Sequence, residues 1–217
     1  MAMRPYEKRT MTRYDPERHH RRSIRLPGFD YTRPGAYCVT ICTHQRECTL
    51  GQIEDGKMIL NIYGQIAHEE WVRSAVIRHE IQLDEFIVMP NHLHGIVIIT
   101  DDASGATHSV GAHGFVGATG RSPLRMQTMR PGPPPKSLGS FIAGFKSAAT
   151  QRINALRGTP GLPVWQHNYY EHVIRNEDEW NEIRTYIAEN PLKWELDENH
   201  PSRLPTSNRD QKIKVWK

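Results

Sequence analysis

Long apolar runs are missing from this 217-residue chain. None approaches the roughly 20 residues of a membrane-spanning helix, so no membrane partner is expected. Cysteine is scarce: Cys38, Cys42 and Cys48 form an odd, clustered trio without a CxxC pair, which leaves a zinc site without its usual ligand spacing. Cys38 and Cys42 fall on one face of an expected strand, where reduced, half-buried thiols are the default. The first residues carry charge and no apolar h-region, so no signal peptide is expected and a cytoplasmic location follows. Apolar residues make up only 37%, against 15 prolines and 16 glycines, which points to long irregular segments around one core of ordinary size. Strong net charge is absent too. At +4 with a pI near 9.0 the chain is mildly basic, compatible with a nucleic-acid partner without requiring one.

What is present is ordered along the chain. Residues 1–21 form a basic arm, and Arg18-His19-His20-Arg21-Arg22 with Arg25 is the densest cationic cluster. Arg21, Arg22 and Arg25 are candidates for phosphate contact, against the alternative of a solvated arm. Residues 36–43 read as a strand, rich in β-branched and aromatic side chains. A short hairpin turns at Asp55-Gly56. Asn61 can cap a helix over 62–77 with Ile62, Ile66, Ala67, Trp71 and Ala75 as its stripe. Strands are expected over 83–89 and 93–100, and a loop without periodicity over 101–136, Pro-rich at its end. Ser137 opens a second helix reaching about Leu156, striped by Leu138, Phe141, Ile142, Phe145, Ala149, Ile153 and Leu156. Lys146 and Arg152 lie off that stripe and are further candidates for phosphate contact. Val164-Trp165-Gln166 and residues 169–174 read as another strand, and Tyr169 and Tyr170 there read as core or base-stacking residues. Asn176, with Glu179 in capping-box position, starts a third helix that ends before Pro191. Residues 195–217 look like a polar, loosely held tail. The order predicts an α+β, ferredoxin-like (split βαβ) fold: an antiparallel sheet with helices on one face and an added C-terminal helix.

Met89-Pro90-Asn91-His92-Leu93-His94-Gly95 carries the chemistry. Side chains two apart on a strand share a face, so His92 and His94 project together while Leu93 points the other way. Paired imidazoles on a rigid strand suit a divalent metal; two unrelated histidines at a hairpin mouth are the alternative. On the third helix Tyr186 sits at the edge of the stripe made by Trp180, Ile183 and Ile187, with Asn190 one turn on. A divalent ion between His92, His94 and an oxygen ligand polarises a phosphate oxygen, and Tyr186 is then a nucleophile for phosphorus. The spacing alone is better satisfied by a boundary tyrosine and a helix-capping asparagine.

Five blocks in order carry a wider likeness: "YCVTICTHQRECTLGQI", "LDEFIVMPNHLHGIVII", "SLGSFIAGFKSAATQRIN", "VWQHNYYEHVIRN" and "YIAENPLKW". Over residues 22–194 the chain resembles the single-tyrosine transposases of the HUH superfamily, IS200-like, in particular the REP-associated tyrosine transposases. The resemblance implies His92 and His94 as metal ligands, Asn190 completing the site and Tyr186 as nucleophile; His172 either lines the site or is a structural histidine on the last strand. It implies Mg²⁺ or Mn²⁺ as cofactor and single-stranded DNA with REP hairpin repeats as partner. The implied reaction is cleavage and rejoining through a 5′-phosphotyrosine link, at a cytoplasmic, nucleoid-associated location. A retired, non-catalytic hairpin binder is the alternative. Such relatives occur as homodimers and as monomers, which leaves the oligomeric state open. The Gly- and Pro-rich insertion over 101–136 is not a general feature of that family.

Overall fold

The nearly continuous apolar run Gly35–Cys42, buried on both faces from Ala36 on, forms an interior strand, β1, of a four-stranded sheet. The computed structural model describes residues 30–101 and 132–203. The basic arm with Arg21, Arg22 and Arg25, most of the 101–136 insertion and the tail after Arg203 lie outside the described residues.

After β1 come a hairpin of β2 (Gly51–Glu54) and β3 (Lys57–Leu60), helix α1 (Ile62–Ile77), and strands β4 (Ile81–Val88) and β5 (His92–Ile99). Helix α2 (Leu138–Arg157), strand β6 (Tyr170–Ile174) and helix α3 (Glu177–Glu189) follow. The sheet order is β4-β5-β1-β6, antiparallel throughout, which is the expected split βαβ arrangement.

The two faces of β1 meet different partners. Tyr37, Val39 and Ile41 join Leu93 and Val97 of β5 in the larger core under α1 and α2. Trp71 is the centre of that core, with the rings of Phe141 and Phe145 each 5.1 Å away. Gly95 makes room for it: a Cβ there would stand 2.9 Å from the Trp71 ring. The opposite face, with Cys38 and Ile96, is covered by Ile183 and Ile187 of α3. Helix α3 is anchored to β4 where Asp84 accepts from the Trp180 indole N–H and pairs with Arg184 at 2.7 Å.

Local signals set the helix starts. Asn61 Oδ1 accepts from the N–H groups of Tyr63 and Gly64, so α1 begins where expected. Ser137 and Ser140 form a reciprocal cap on α2. Asn176 caps α3 by accepting from Glu179 N–H, while the Glu179 carboxylate accepts instead from Arg175 N–H and His172. Ile62 and Leu156 depart from the expected stripes, at 53% and 56% exposed. Periodicity marks a helix face, but not how far along the axis its partner extends. Of the stretches expected as strand, 169–174 matches β6, which starts at Tyr170, while residues 164–166 contribute one bridge, Thr43 to Trp165. Cys38 and Cys42 are fully rather than half buried. Burial raises their thiols to about 12 and about 11.

Candidate metal and nucleophile site

The two histidines open β5 opposite β1, His92 paired with Cys42 and His94 with Thr40. Both rings are fully buried on the α3 face, with centroids 4.4 Å apart. Each is fixed through Nδ1. Asn91 Nδ2 donates to the Arg46 and Asn199 carbonyls at 3.0 and 2.7 Å, so its Oδ1 must accept from His92 Nδ1–H at 2.9 Å. His94 Nδ1 meets Thr40 Oγ1 at 2.8 Å, and its Nε2 lies 3.2 Å from the Tyr186 hydroxyl. With the phenol donating to Nε2, Nδ1–H donates to Thr40. Both imidazoles thus turn Nε2 into the site, held in one tautomer by the far nitrogen, as ligand histidines usually are.

Tyr186 approaches from the last turns of α3, half-buried, its ring 5.2 Å from that of His94. Burial, reinforced by the nearby Asp197 carboxylate, raises its phenol well above the ordinary value. Asn190 is buried one turn on, where a 3-10 stretch, Asn190–Leu196, takes over from α3.

The acidic member of the site is Asp197. Its Oδ2 accepts from Asn190 Nδ2 at 3.1 Å and its Oδ1 from Asn199 N–H at 2.6 Å. Ligand atoms of His92, His94 and Asp197 lie within 4.8 Å of one another. Burial by itself would raise the Asp197 carboxyl; the two imidazoles and the donated N–H groups outweigh it and hold the carboxyl below its ordinary value. Burial pushes His92 well below 6.5, helped by the charge of His94, and lowers His94 to about 4. Both are therefore neutral at pH 7, as ligands must be.

These residues fit a divalent cation. His92 Nε2 and Asn190 Oδ1 are buried without a hydrogen-bond partner, a state that buried polar atoms rarely keep. Two nitrogens and a carboxylate at about 2.1 Å from an ion stand up to about 4 Å apart, so small side-chain shifts close the set.

Asp197 lies in the stretch expected to be a loose polar tail. That expectation is corrected: Asp197 and Asn199 are buried, because Asn91 and Cys42 take their partners from Asn199. A lone Asp in a polar run has no periodicity to mark it, and its Asn190 partner is visible only after folding.

The remaining candidates sit elsewhere. His172, on β6 opposite Cys38, bonds Glu179 at 2.7 Å at the start of α3 rather than joining the cluster. Lys146 Nζ donates to the carbonyls of Gln166, His167 and Asn168 at 2.9, 3.4 and 2.9 Å. Arg152 pairs with Glu69 and Glu70 at 2.7 Å each, bridging α2 to α1. Both cations already have partners within the chain, a use that counting basic residues does not reveal. Tyr169 packs on the larger core, and Tyr170, opposite Thr40, is half-buried on the other side. Trp165 is buried beside Phe145, and Gln166 N–H donates to Cys42 O at 2.9 Å.

No family model matches the chain. An uncharacterised protein of Haemophilus influenzae (strain ATCC 51907 / DSM 11121 / KW20 / Rd) is 35% identical over 191 residues, spanning 86% of this chain and 97% of that protein. Among solved structures, a REP-associated tyrosine transposase bound to a REP hairpin superposes with a TM-score of 0.50 at 16% identity, covering 80% of this chain and 76% of that one. The chain thus belongs to one family with the Haemophilus influenzae protein and has the fold of a REP-associated tyrosine transposase.

Proposed function

We propose that the protein cleaves and rejoins single-stranded DNA at REP-type hairpin repeats, with Tyr186 as nucleophile and Mg²⁺ or Mn²⁺ as cofactor. The observation that carries this reading is the 3.2 Å approach of the Tyr186 hydroxyl to His94, beside His92 and Asp197. The solved neighbour of like fold holds a REP hairpin, which supports the choice of substrate.

His92, His94 and Asp197 would hold the cation, with Asn190 Oδ1 as a further oxygen donor. Two imidazoles favour Mn²⁺ over Mg²⁺ in affinity. When bound, the cation supplies the positive field that withdraws charge from a phosphate oxygen and favours the phenolate. The protein's own residues do the rest. Helix α3 positions Tyr186 Oη to form a bond to phosphorus while the P–O3′ bond breaks, leaving a 3′-hydroxyl and a 5′-phosphotyrosine. The phenol loses its proton to solvent and the departing 3′-oxygen takes one up. Attack by a 3′-hydroxyl reverses the step and joins strands. Phosphate contacts from Arg21, Arg22 and Arg25 would add salt-dependent affinity.

The test is denaturing electrophoresis of labelled hairpin DNA with wild type and Tyr186→Phe in Mn²⁺. Wild type should give a covalent adduct; Tyr186→Phe should bind the hairpin and give none. An adduct formed by Tyr186→Phe would reject the nucleophile. Tight binding with no adduct from wild type would leave the protein a hairpin-binding regulator.

A further inference from the structure

Asn91 stands in the turn between β4 and β5 and is fully buried. Its backbone is pinned there: the Asn91 carbonyl accepts from Thr43 N–H at 2.9 Å and from Thr43 Oγ1 at 3.0 Å. The side chain reaches three separate segments. Nδ2 donates to Arg46 O, in the 3-10 turn His44–Arg46 after β1, at 3.0 Å and to Asn199 O at 2.7 Å. Oδ1 lies 2.9 Å from His92 Nδ1. A primary amide has two N–H donors and a carbonyl acceptor, and here each is used. A carboxylate in its place could accept from His92 but would face two carbonyl oxygens with no hydrogen to give.

The Asn199 end of this link leads back to the site. Asn199 N–H donates to Asp197 Oδ1 at 2.6 Å, and His200 N–H donates to Asp197 O at 3.1 Å, which closes a tight turn over residues 197–200. His92, Asn91, Asn199 and Asp197 therefore form one hydrogen-bonded chain, and both of its ends belong to the candidate ligand cluster. The 3-10 stretch before the turn ends at Leu196, so no helix carries Asp197 into place. Among the described residues, the other hydrogen bond between this turn and the strands runs from the Cys42 thiol to Asn199 Oδ1 at 3.7 Å, and a thiol is a weak donor.

We propose that Asn91 is a positioning residue of the cation site. By holding the Asn199 carbonyl it keeps Asp197 against His92 and His94, and by accepting from His92 Nδ1–H it aims His92 Nε2 at the same point. This rests on the reading of these three residues as a cation site, and not on the strand-transfer step. A carboxylate already held in place loses little conformational freedom when an ion binds; one on an unfastened turn loses more, and affinity falls accordingly.

The experiment titrates the metal-free full chain with Mn²⁺ alone, by calorimetry. Wild type is compared with Asn91→Ala, Asn91→Asp, Asp197→Asn and the double variant carrying Asn91→Ala and Asp197→Asn, and Tm is read without metal. Asn91→Ala should weaken Mn²⁺ binding about tenfold or more, the size expected when the partner of a metal ligand is removed. In the Asp197→Asn background the same change should cost about threefold or less, because the turn then has no carboxylate to deliver. A residue that merely supported the fold would lower Tm and cost the same affinity in both backgrounds. Asn91→Asp should also bind more weakly than wild type, since Asn199 has lost its donor, even though a carboxylate on His92 Nδ1–H would strengthen that ligand. Equal losses in both backgrounds, or binding by Asn91→Asp as tight as wild type, overturn the proposal. Either Asn91 variant decides if the other does not fold; failure of both to fold overturns it, since the amide would then hold the fold rather than the ligands. Absence of Mn²⁺ binding by wild type overturns the cation site and this proposal together. Strand transfer is not read, so its failure leaves the result standing.

Discussion

The Tyr186 hydroxyl lies 3.2 Å from His94 Nε2, within hydrogen-bond reach, so the nitrogen aimed at the candidate cation site already has a partner. Uptake of a cation by His92, His94 and Asp197 must displace that hydrogen bond. A hydrogen bond of this kind is worth about 1 kcal/mol net, about a fivefold change in affinity. Tyr186→Phe should therefore bind Mn²⁺ about fivefold more tightly than wild type, as measured by titration calorimetry on metal-free protein. Weaker binding by the variant would show that the phenol helps hold the ion rather than competing with it.

Asp197→Asn should uncouple metal binding from stability. At a Mn²⁺ concentration of about 100 times the wild-type Kd, the ion stabilises the fold by about 2.7 kcal/mol. A tenfold loss of affinity on removing the carboxylate charge would cut this to about 1.4 kcal/mol. Thermal unfolding with and without Mn²⁺ reads the difference; an equal Mn²⁺ effect in both proteins would remove Asp197 from the site.

Acid should weaken the metal-free fold before the carboxylates titrate. An unfolded histidine binds its proton near pH 6.5, whereas burial holds His94 to about 4 in the folded protein. Between those values the unfolded chain carries more protons, so stability is complete above about pH 6.5 and falls as pH drops toward 4. The loss at His94 is on the order of 3 kcal/mol. His92, lowered by burial and then by His94, acts in the same direction. Urea unfolding at pH 7.5 and 4.5 should show the loss, and His94→Gln should show less of it. A slope of opposite sign would mean the pair is stabilised as imidazolium.

Lys146 tests a structural use of a basic residue. Its ammonium serves three carbonyls of the segment leading into β6. Lys146→Met leaves them without that donor, at a cost of about 1–3 kcal/mol. Chemical denaturation should register this, while the salt slope of DNA binding stays that of wild type. A slope shallower by about 0.7 would return Lys146 to phosphate contact.

Much of the frame was legible because it follows from local rules. Asn61 and Ile77 bracket α1 as the cap and the periodicity predict. Leu93 turns into the larger core while His92 and His94 turn away, since alternation is a property of extended backbone. Tyr186 lies at the rim of its helical stripe for the same kind of reason. His172, Lys146 and Arg152 were visible as residues but not as partners: Glu179, three carbonyls and two glutamates take them up.

The amino-acid order by itself determined which strand and helix faces carry the imidazoles and the phenol, because backbone geometry repeats over a few residues. Only the tertiary structure decided that Asp197 closes the histidine cluster and that Asn91 ties His92 to Asn199. Those meetings join residues far apart in the chain, and they depend on how α3 and the stretch after it settle on one face of the sheet. No local period encodes that distance.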